Sequence, residues 1–437
     1  MTTSTDAAPL KRVVTVSSLS LNVVNLTIAS GIFALPAGMA ASLGHAAPLA
    51  YLVCAVLFGL VGLCFAEAGS RVGTAGGLYA YASVPFGPVV GGVAGTLLWV
   101  ASGASADAAI INLLVNTLQS VIPALAVSWF RVAVILGLFT VVAIINIRGA
   151  RNGVRLSVLM TLIKIAPLVL LAVVGLFVID WSQLGWTTMP SLKSLGGASV
   201  SLFYAFIGVE AALSMSGEVI RPARTVPRAI LLGLLMIGSL YVSLQLVAQG
   251  ALGNALATSQ TPLVESARII LGPWGGAFLA ATLALSASGC IAGDLLSTPR
   301  VLFAFAQQGQ LPRQVAAVHP RFGTPWIAII VYAVVCATLA LSGTFNQLAV
   351  ISSSGTLILY FICCLGVLRL RAHKVAMEGE PFVAPGGPLV PILAMGVILW
   401  MLWSLSLQEQ LAALAVVAVV AVIFAVHERM KRRQIRS

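Results

Sequence analysis

The chain has 437 residues, of which 59% are hydrophobic and 8% charged, and it carries a net charge of +12. Apolar runs of about 20 residues recur along it, each long enough to cross a bilayer as a helix, and they leave no room for a soluble domain of useful size. That composition excludes an ordinary soluble enzyme and predicts an all-α integral membrane protein.

In chain order, residues 1–16 form a polar segment carrying Lys11 and Arg12. The run that follows is too long, and too polar around Ser30-Gly31, for a cleaved signal peptide. Twelve spans are expected near 17–41, 46–69, 87–118, 127–147, 154–179, 195–219, 228–252, 274–305, 326–343, 347–368, 388–406 and 410–426. With the N-terminus cytoplasmic, Arg71, Arg148, Arg151, Arg155, Arg221, Arg224, Arg228, Arg313, Arg321, Arg369, Arg371, Lys374 and the tail from Arg429 to Arg436 all fall inside. Only Arg131, Lys193 and Arg268 lie near the opposite loops. This positive-inside asymmetry places both termini in the cytoplasm. It also accounts for the basic charge without nucleic acid; contact of the tail with anionic lipid is the expected surface interaction. The six cysteines (Cys54, Cys64, Cys290, Cys336, Cys363 and Cys364) all sit in expected spans without zinc-ligand spacing, which leaves them as structural thiols.

Two glycine-centred breaks, Ala29-Ser30-Gly31-Ile32-Phe33 and Phe206-Ile207-Gly208-Val209-Glu210, interrupt the first and sixth spans. In hydrocarbon, unpaired backbone is tolerated only where it is buried in protein or lines a cavity, so matched breaks point to a substrate site at the midplane between inverted repeats. A helix ending near Ile28 frees the carbonyls of Thr27 and Ile28, and a helix restarting after Gly31 frees the amides of Ser30, Gly31 and Ile32. A carboxylate suits the amides and an ammonium suits the carbonyls, so the pair orients an α-amino acid head group. Tyr204 and Ile207 would add carbonyls to the ammonium site. The competing reading of each break is a glycine-permitted helix crossing.

The ordered motifs Ser30-Gly31-Ile32-Phe33, Gly76-Gly77-Leu78-Tyr79-Ala80-Tyr81, Phe86-Gly87-Pro88, Gly217-Glu218-Val219-Ile220-Arg221-Pro222, Gly309-Gln310-Leu311-Pro312 and His319-Pro320-Arg321-Phe322-Gly323-Thr324-Pro325 span nearly the whole chain. In these the chain resembles the amino acid, polyamine and organocation (APC) permease superfamily. The resemblance implies a LeuT-like fold with a 5+5 inverted repeat, broken helices 1 and 6, two further C-terminal helices and alternating access. The implied organisation is an N-terminal segment (1–16), a first repeat (17–179), a second repeat (180–371), the last two helices (372–427) and a basic tail (428–437). By position, Ser30 and Gly31 match amides that hold the substrate carboxylate in the superfamily's arginine/agmatine antiporters. Thr27 and Ile207 match carbonyls that hold the amine, Tyr204 takes the place of a gating tryptophan, Glu210 matches a sixth-span glutamate, and Ser102 with Ala106 match the pocket face of the third span. Asp294 stands where those antiporters carry an aromatic residue, so their arginine specificity does not transfer.

Asp107, Lys164, Glu210 and Asp294 are ionisable groups inside expected spans, where each costs at least about 2.5 to 3.5 kcal/mol on insertion scales and is a functional candidate by default. Lys164 resembles a fifth-span lysine that several families of the superfamily place where sodium-dependent relatives bind sodium. It is either a fixed cation or a titrating coupler, and both imply sodium independence. Glu210 could bridge helix ends, carry a proton or face a cationic substrate. Asp294, if ionised and facing the cavity, would favour a distal amino or guanidinium group. Asp107 lies about 100° round the helix from Ala106 and either joins the pocket or meets a neighbouring helix. Glu67, Arg71, Glu218, Arg221 and Arg300 sit at cytoplasmic helix ends, as surface pairs or as an inside gate.

The expectation is a secondary transporter of the bacterial or archaeal cytoplasmic membrane, moving amino acids or related amines by proton symport or exchange, tilted to cationic amino acids. A neutral amino acid permease and a polyamine transporter are the alternatives within that class, and a non-transporting membrane sensor is the alternative outside it. An enzyme is not expected: His45, His319, His373 and His427 all lie at loops or ends, and neither a catalytic cluster nor a phosphate-binding loop is seen. No cofactor or metal is expected, and the chain acts alone or as a homodimer.

Overall fold

The computed structural model describes residues 15–29, 31–72, 78–119, 127–148, 153–185, 189–208, 220, 222–307, 310–375 and 381–436. Among these residues every regular element is helical. The helices are α1 Val16–Thr27, α2 Gly31–Leu43, α3 Pro48–Arg71, α4 Leu78–Phe86, α5 Pro88–Leu97 and, after a π-helical stretch at Leu98–Ser105, α6 Ala106–Gln119. There follow α7 Ser128–Arg148, α8 Gly153–Val178, α9 Leu192–Phe203 with a 3-10 turn at Tyr204–Phe206, α10 Pro222–Leu252 and α11 Pro262–Leu271. The last are α12 Pro273–Ser297, α13 Pro299–Gln307, α14 Trp326–Ser342, α15 Phe345–Ala372, α16 Leu389–Trp403 and α17 Leu407–Arg436.

Local sequence explains where these helices start and stop. Gly87 (φ 87°) and Gly272 (φ 77°) turn the chain in a region that favours glycine, and Pro88 and Pro273 then open α5 and α12 at the first helical position, where a missing N–H is harmless. Thr344 and Gln347 form a reciprocal cap at the start of α15. Pro299 separates α12 from α13 because it cannot continue the ladder of amide hydrogen bonds.

Seven described helical stretches are long and apolar enough to cross a membrane, namely Pro48–Arg71, Pro88–Gln119, Ser128–Arg148, Arg228–Thr258, Pro273–Gln307, Phe345–Ala372 and Leu407–Arg429. Three shorter apolar helices, Ile163–Val178, Trp326–Ser342 and Leu389–Trp403, accompany them. The expected first span is two helices, α1 and α2, separated at residues 28–30, and the expected sixth span begins as α9 and loses its helical course at residues 204–208. Residues 209–219, with Glu210 and Glu218, lie outside the described residues, as do Ser30, Gly76, Gly77 and Arg221.

The core sits where α10 packs on α1 and α3 and where α15 packs on the π-helical stretch, α3, α4 and α6. Close approach there depends on small side chains. A Cβ on Gly355 of α15 would lie 2.3 Å from that of Ala101 in the π-helical stretch. An aromatic layer surrounds the second break, with Phe206 tilted against Phe58 (5.8 Å between centroids) and edge-on to Tyr241 (5.3 Å). The outer faces are apolar and uncovered, as Leu411, Leu414, Val419 and Val422 of α17 illustrate, which is the surface a lipid-facing helix presents.

Candidate functional site

The two helix breaks meet. Ending α1 at Thr27 orphans its last carbonyls. The N–H of Ala29, which in an unbroken helix would serve Asn25, bonds instead to Thr27 O at 2.8 Å. The Asn25 carbonyl so released accepts a hydrogen bond from Lys164 Nζ, reaching across from α8. Lys164 is buried, so its ammonium is held by protein and not by bulk water. A helix terminus and a basic side chain of opposite polarity are thereby matched.

At the second break α9 tightens into the 3-10 turn, Ile207 becomes extended, and Gly208 takes φ 129°, a conformation that a residue with a Cβ rarely adopts. The Ala205 carbonyl, within the 3-10 turn, accepts from Tyr241 Oη at 2.9 Å. The same hydroxyl lies 3.2 Å from Thr27 O. One tyrosine of α10 thus ties together carbonyls of both broken helices. Gly31, first residue of α2, abuts the same turn: a Cβ there would stand 2.9 Å from Tyr204 Cδ1 and 3.3 Å from Ala205 Cα.

Tyr204 itself donates to Ala106 O at 2.9 Å and packs edge-on against Phe345 (5.7 Å), so one side chain links the second break to α6 and α15. Beside this pair a cavity of about 190 Å³ is lined by Leu35, Gly38, Met39, Ser42, Ser201, Asn346 and Ala349 of α2, α9 and α15. The first-turn amides of α2, Gly31 and Ile32 among them, have no partner within their own helix, while Ile28 and Ile32 bury their side chains. The hydroxyl of Thr27 is buried without a hydrogen-bond partner among the described residues. Together these groups offer backbone donors, backbone acceptors and a hydroxyl around one point, which is what recognition of a zwitterionic head group requires.

A second polar cluster lies beside the first. Asp107 is the second residue of α6, just after the π-helical stretch, and is fully buried. Tyr332 of α14 donates to its Oδ2 at 3.0 Å, and Asp294 of α12 is a neighbouring acid within its electrostatic reach. Gly103, one turn earlier, makes the room: a Cβ there would fall 2.8 Å from Tyr332 Oη. Ser102 turns elsewhere, to Thr356 of α15 at 2.8 Å. Cys290, one turn before Asp294 on α12, lies in the electrostatic reach of both Lys164 and the two carboxyls, so the basic and acidic groups border the same stretch of α12.

Of the expected site residues, the structure brings together Thr27, Gly31, Tyr204 and Ile207 at the breaks, sets Lys164 behind the first of them, and places Asp294 within the electrostatic reach of Asp107. Ser30 and Glu210 lie outside the described residues. Tyr241, Tyr332 and the carbonyls of Asn25 and Ala205 are additions. A tyrosine within an apolar run was the one available signal for the first two; backbone acceptors leave no trace in a sequence. At the helix ends expected to face the cytoplasm, Glu67 is no surface pair. It is fully buried, bridges Arg71 (2.9 Å) and Arg371, and accepts from Ala384 N at 2.9 Å. Arg71 also donates to Val375 O at 3.2 Å, so the cluster fastens α3, α15 and the segment before α16, whereas Arg300 is exposed.

Comparison with known proteins agrees with this geometry. The family model described as amino acid permease matches residues 13–427. The chain is 28% identical to the serine/threonine exchanger SteT of Bacillus subtilis over 422 residues, covering 94% of this chain and 95% of that one. It is 25% identical to the methylthioribose transporter of the same organism, covering 91% and 89% of the two chains. It is 27% identical to the branched-chain amino acid permease BcaP of Lactococcus lactis, covering 89% and 88%. Two broken helices meeting at a buried polar point inside an apolar helical bundle therefore belong to a membrane transport protein, and the chain is a member of the amino acid permease family, within the APC superfamily.

Proposed function

We propose that this permease is a sodium-independent secondary transporter of amino acids, with both termini cytoplasmic, twelve spans, and two inverted repeats of five spans each. The carrying observation is the junction of the two breaks through Tyr241 and Gly31. The substrate carboxylate sits on the amides at Ser30, Gly31 and Ile32, and the ammonium on carbonyls at Thr27, Ile28 and Ile207. Tyr204 with Phe345 gates the approach from the cavity bounded by α2, α9 and α15. Lys164 supplies the positive charge that a bound sodium ion would otherwise bring to the freed carbonyl of α1, which is the basis for sodium independence.

The side chain of the substrate is the open choice between two readings. A free carboxylate at Asp294 would select lysine, arginine or a related amine. The other reading is a small neutral amino acid, for which Asp294 is not a counter-ion. Names of relatives, a serine/threonine exchanger and a branched-chain permease among them, favour this one. A cationic amino acid transporter of Arabidopsis thaliana at 27% identity keeps the first reading in play. The test is ligand-induced thermal stabilisation of the purified protein, which reaches about 2.7 kcal/mol at a hundredfold excess over Kd. Stabilisation by serine, threonine or leucine supports the neutral reading. Stabilisation by lysine, arginine or diamines that is lost in Asp294→Asn overturns it in favour of the cationic one.

A further inference from the structure

Two cavities lie end to end on the approach to the helix breaks. The inner one, of about 190 Å³, is the cavity beside Tyr204 and Phe345. The outer one, of about 410 Å³, has Ser42 of α2, Ser191, Lys193 and Ser194 at the start of α9, and Ser404 at the end of α16 among its walls. Ser42 lines both, so the two meet there. Helical spacing traces the same course. On α9, Ser194, Ala198 and Ser201 line the cavities and Tyr204 comes next; on α2, Ser42, Gly38 and Leu35 line them and Gly31 comes next. Steps of three or four residues keep to one face of a helix. Both faces end where Gly31 abuts Tyr204, so the groove between α2 and α9 is one route from the helix ends to the junction of the breaks. Its chemistry is one-sided. Among the described residues lining either cavity, Lys193 is the one ionisable group, and it is exposed at the outer end. It stands in the first turn of α9, the positive end of the helix dipole, beside the cap in which Ser191 Oγ accepts from Ser194 N at 3.0 Å. The other polar groups along the route, the serine hydroxyls and the Asn346 amide, are neutral.

We propose that this groove is the entry filter of the transporter and Lys193 its specificity-determining residue, admitting α-amino acids of no net charge and turning away those with a cationic side chain, and polyamines with them. The inference rests on the transport reading above, with this end of α9 on the outer side, and deepens it by naming the substrate class and a residue that selects it. A substrate carboxylate meets the Lys193 ammonium at the mouth, and the α-ammonium meets hydroxyl and amide oxygens further in. A second positive charge on the side chain is repelled at the mouth and meets no counter-charge along the described walls. Rejection by like charge is a recognised device of specificity, and here it acts before the substrate reaches the breaks. It therefore changes apparent affinity and the rate of entry, and leaves the movement of a substrate already bound untouched.

The experiment measures initial uptake of labelled serine, threonine, leucine and lysine by the full-length protein in liposomes, with unlabelled lysine as competitor. Wild type is expected to take up at least one neutral probe with a KM well below the lysine concentration that halves that uptake. Relative to the neutral KM, that lysine concentration is expected to fall about threefold in Lys193→Gln and about tenfold in Lys193→Glu, the scale of removing and of reversing one unit charge near water. The kcat for the neutral probe is expected to hold, and raised salt to shrink the difference between variants, because exposed charges are screened. Loss of mere packing would produce neither the split between KM and kcat nor the salt dependence. A lysine-to-neutral ratio unchanged in Lys193→Glu overturns the proposal, as does a wild type for which lysine competes as well as the neutral probes do. If the glutamate variant does not fold, Lys193→Cys treated after purification with a sulfonate-bearing thiol reagent reverses the charge on folded protein, and an unchanged ratio there overturns the proposal equally. Wild type that takes up none of the probes refutes the transport reading instead.

Discussion

Replacing Lys164 by methionine separates the work of the ammonium from that of the side chain that carries it. Methionine keeps a long, flexible apolar stem in the same place, so packing is largely preserved. What disappears is the donor to Asn25 O, the carbonyl that the α1 break sets free. A buried acceptor left without its donor costs about 1–3 kcal/mol. Against this, the buried ammonium itself carries a desolvation penalty of several kcal/mol that the variant no longer bears. The two effects offset in global stability, and the melting temperature of the variant is expected to stay near that of wild type or to rise. The loss is concentrated in the broken form of α1, the form that binds substrate. Because about 1.4 kcal/mol is a factor of ten, affinity is expected to fall roughly 5-fold to 150-fold. Ligand-induced thermal shift and uptake into liposomes read these two quantities separately. A variant of wild-type affinity and rate would refute the assignment of Lys164 as the fixed cation of the site; a variant that merely unfolds would refute the offset.

Three further expectations follow from the same contacts. Gly31→Ala pushes a methyl group to 2.9 Å from the Tyr204 ring and 3.3 Å from the Ala205 backbone, an overpacking of about 1–3 kcal/mol at the junction of the breaks, so transport should collapse while the protein still elutes as a folded species in size-exclusion chromatography. Tyr241→Phe strips the shared donor from the Thr27 and Ala205 carbonyls and should lower affinity by a comparable amount in the thermal-shift titration. Glu67→Gln breaks a buried charge cluster holding Arg71 and Arg371, which should destabilise the protein by about 3–5 kcal/mol in thermal unfolding with little change in the affinity of the molecules that remain folded.

The parts of this account legible in the sequence are those that membrane burial makes conspicuous. A glycine close to a polar residue inside an apolar run, as at Gly31 beside Ser30 and Gly208 two positions before Glu210, signals a helix break because hydrocarbon tolerates little else. A lysine or aspartate at membrane depth, as at Lys164, Asp107 and Asp294, is conspicuous for the same reason. What each of these touches was not legible. Lys164 finds a backbone carbonyl 139 positions away, Glu67 finds Arg371 at a separation of 304, and neither pairing has a local pattern. Asp107 and Asp294 read separately as a coupling group and a substrate counter-ion; only the packing of α6 against α12 brings them near each other. Tyr241 escaped notice because a tyrosine in an apolar helix is ordinary until its hydroxyl is seen between carbonyls of the two breaks.

The most direct test of the central claim is exchange of labelled amino acid by the purified protein in sodium-free liposomes. The account predicts saturable exchange of at least one small neutral amino acid, unchanged when sodium is added and lost in Gly31→Ala. Exchange that requires sodium, or that survives Gly31→Ala at the wild-type rate, would contradict it.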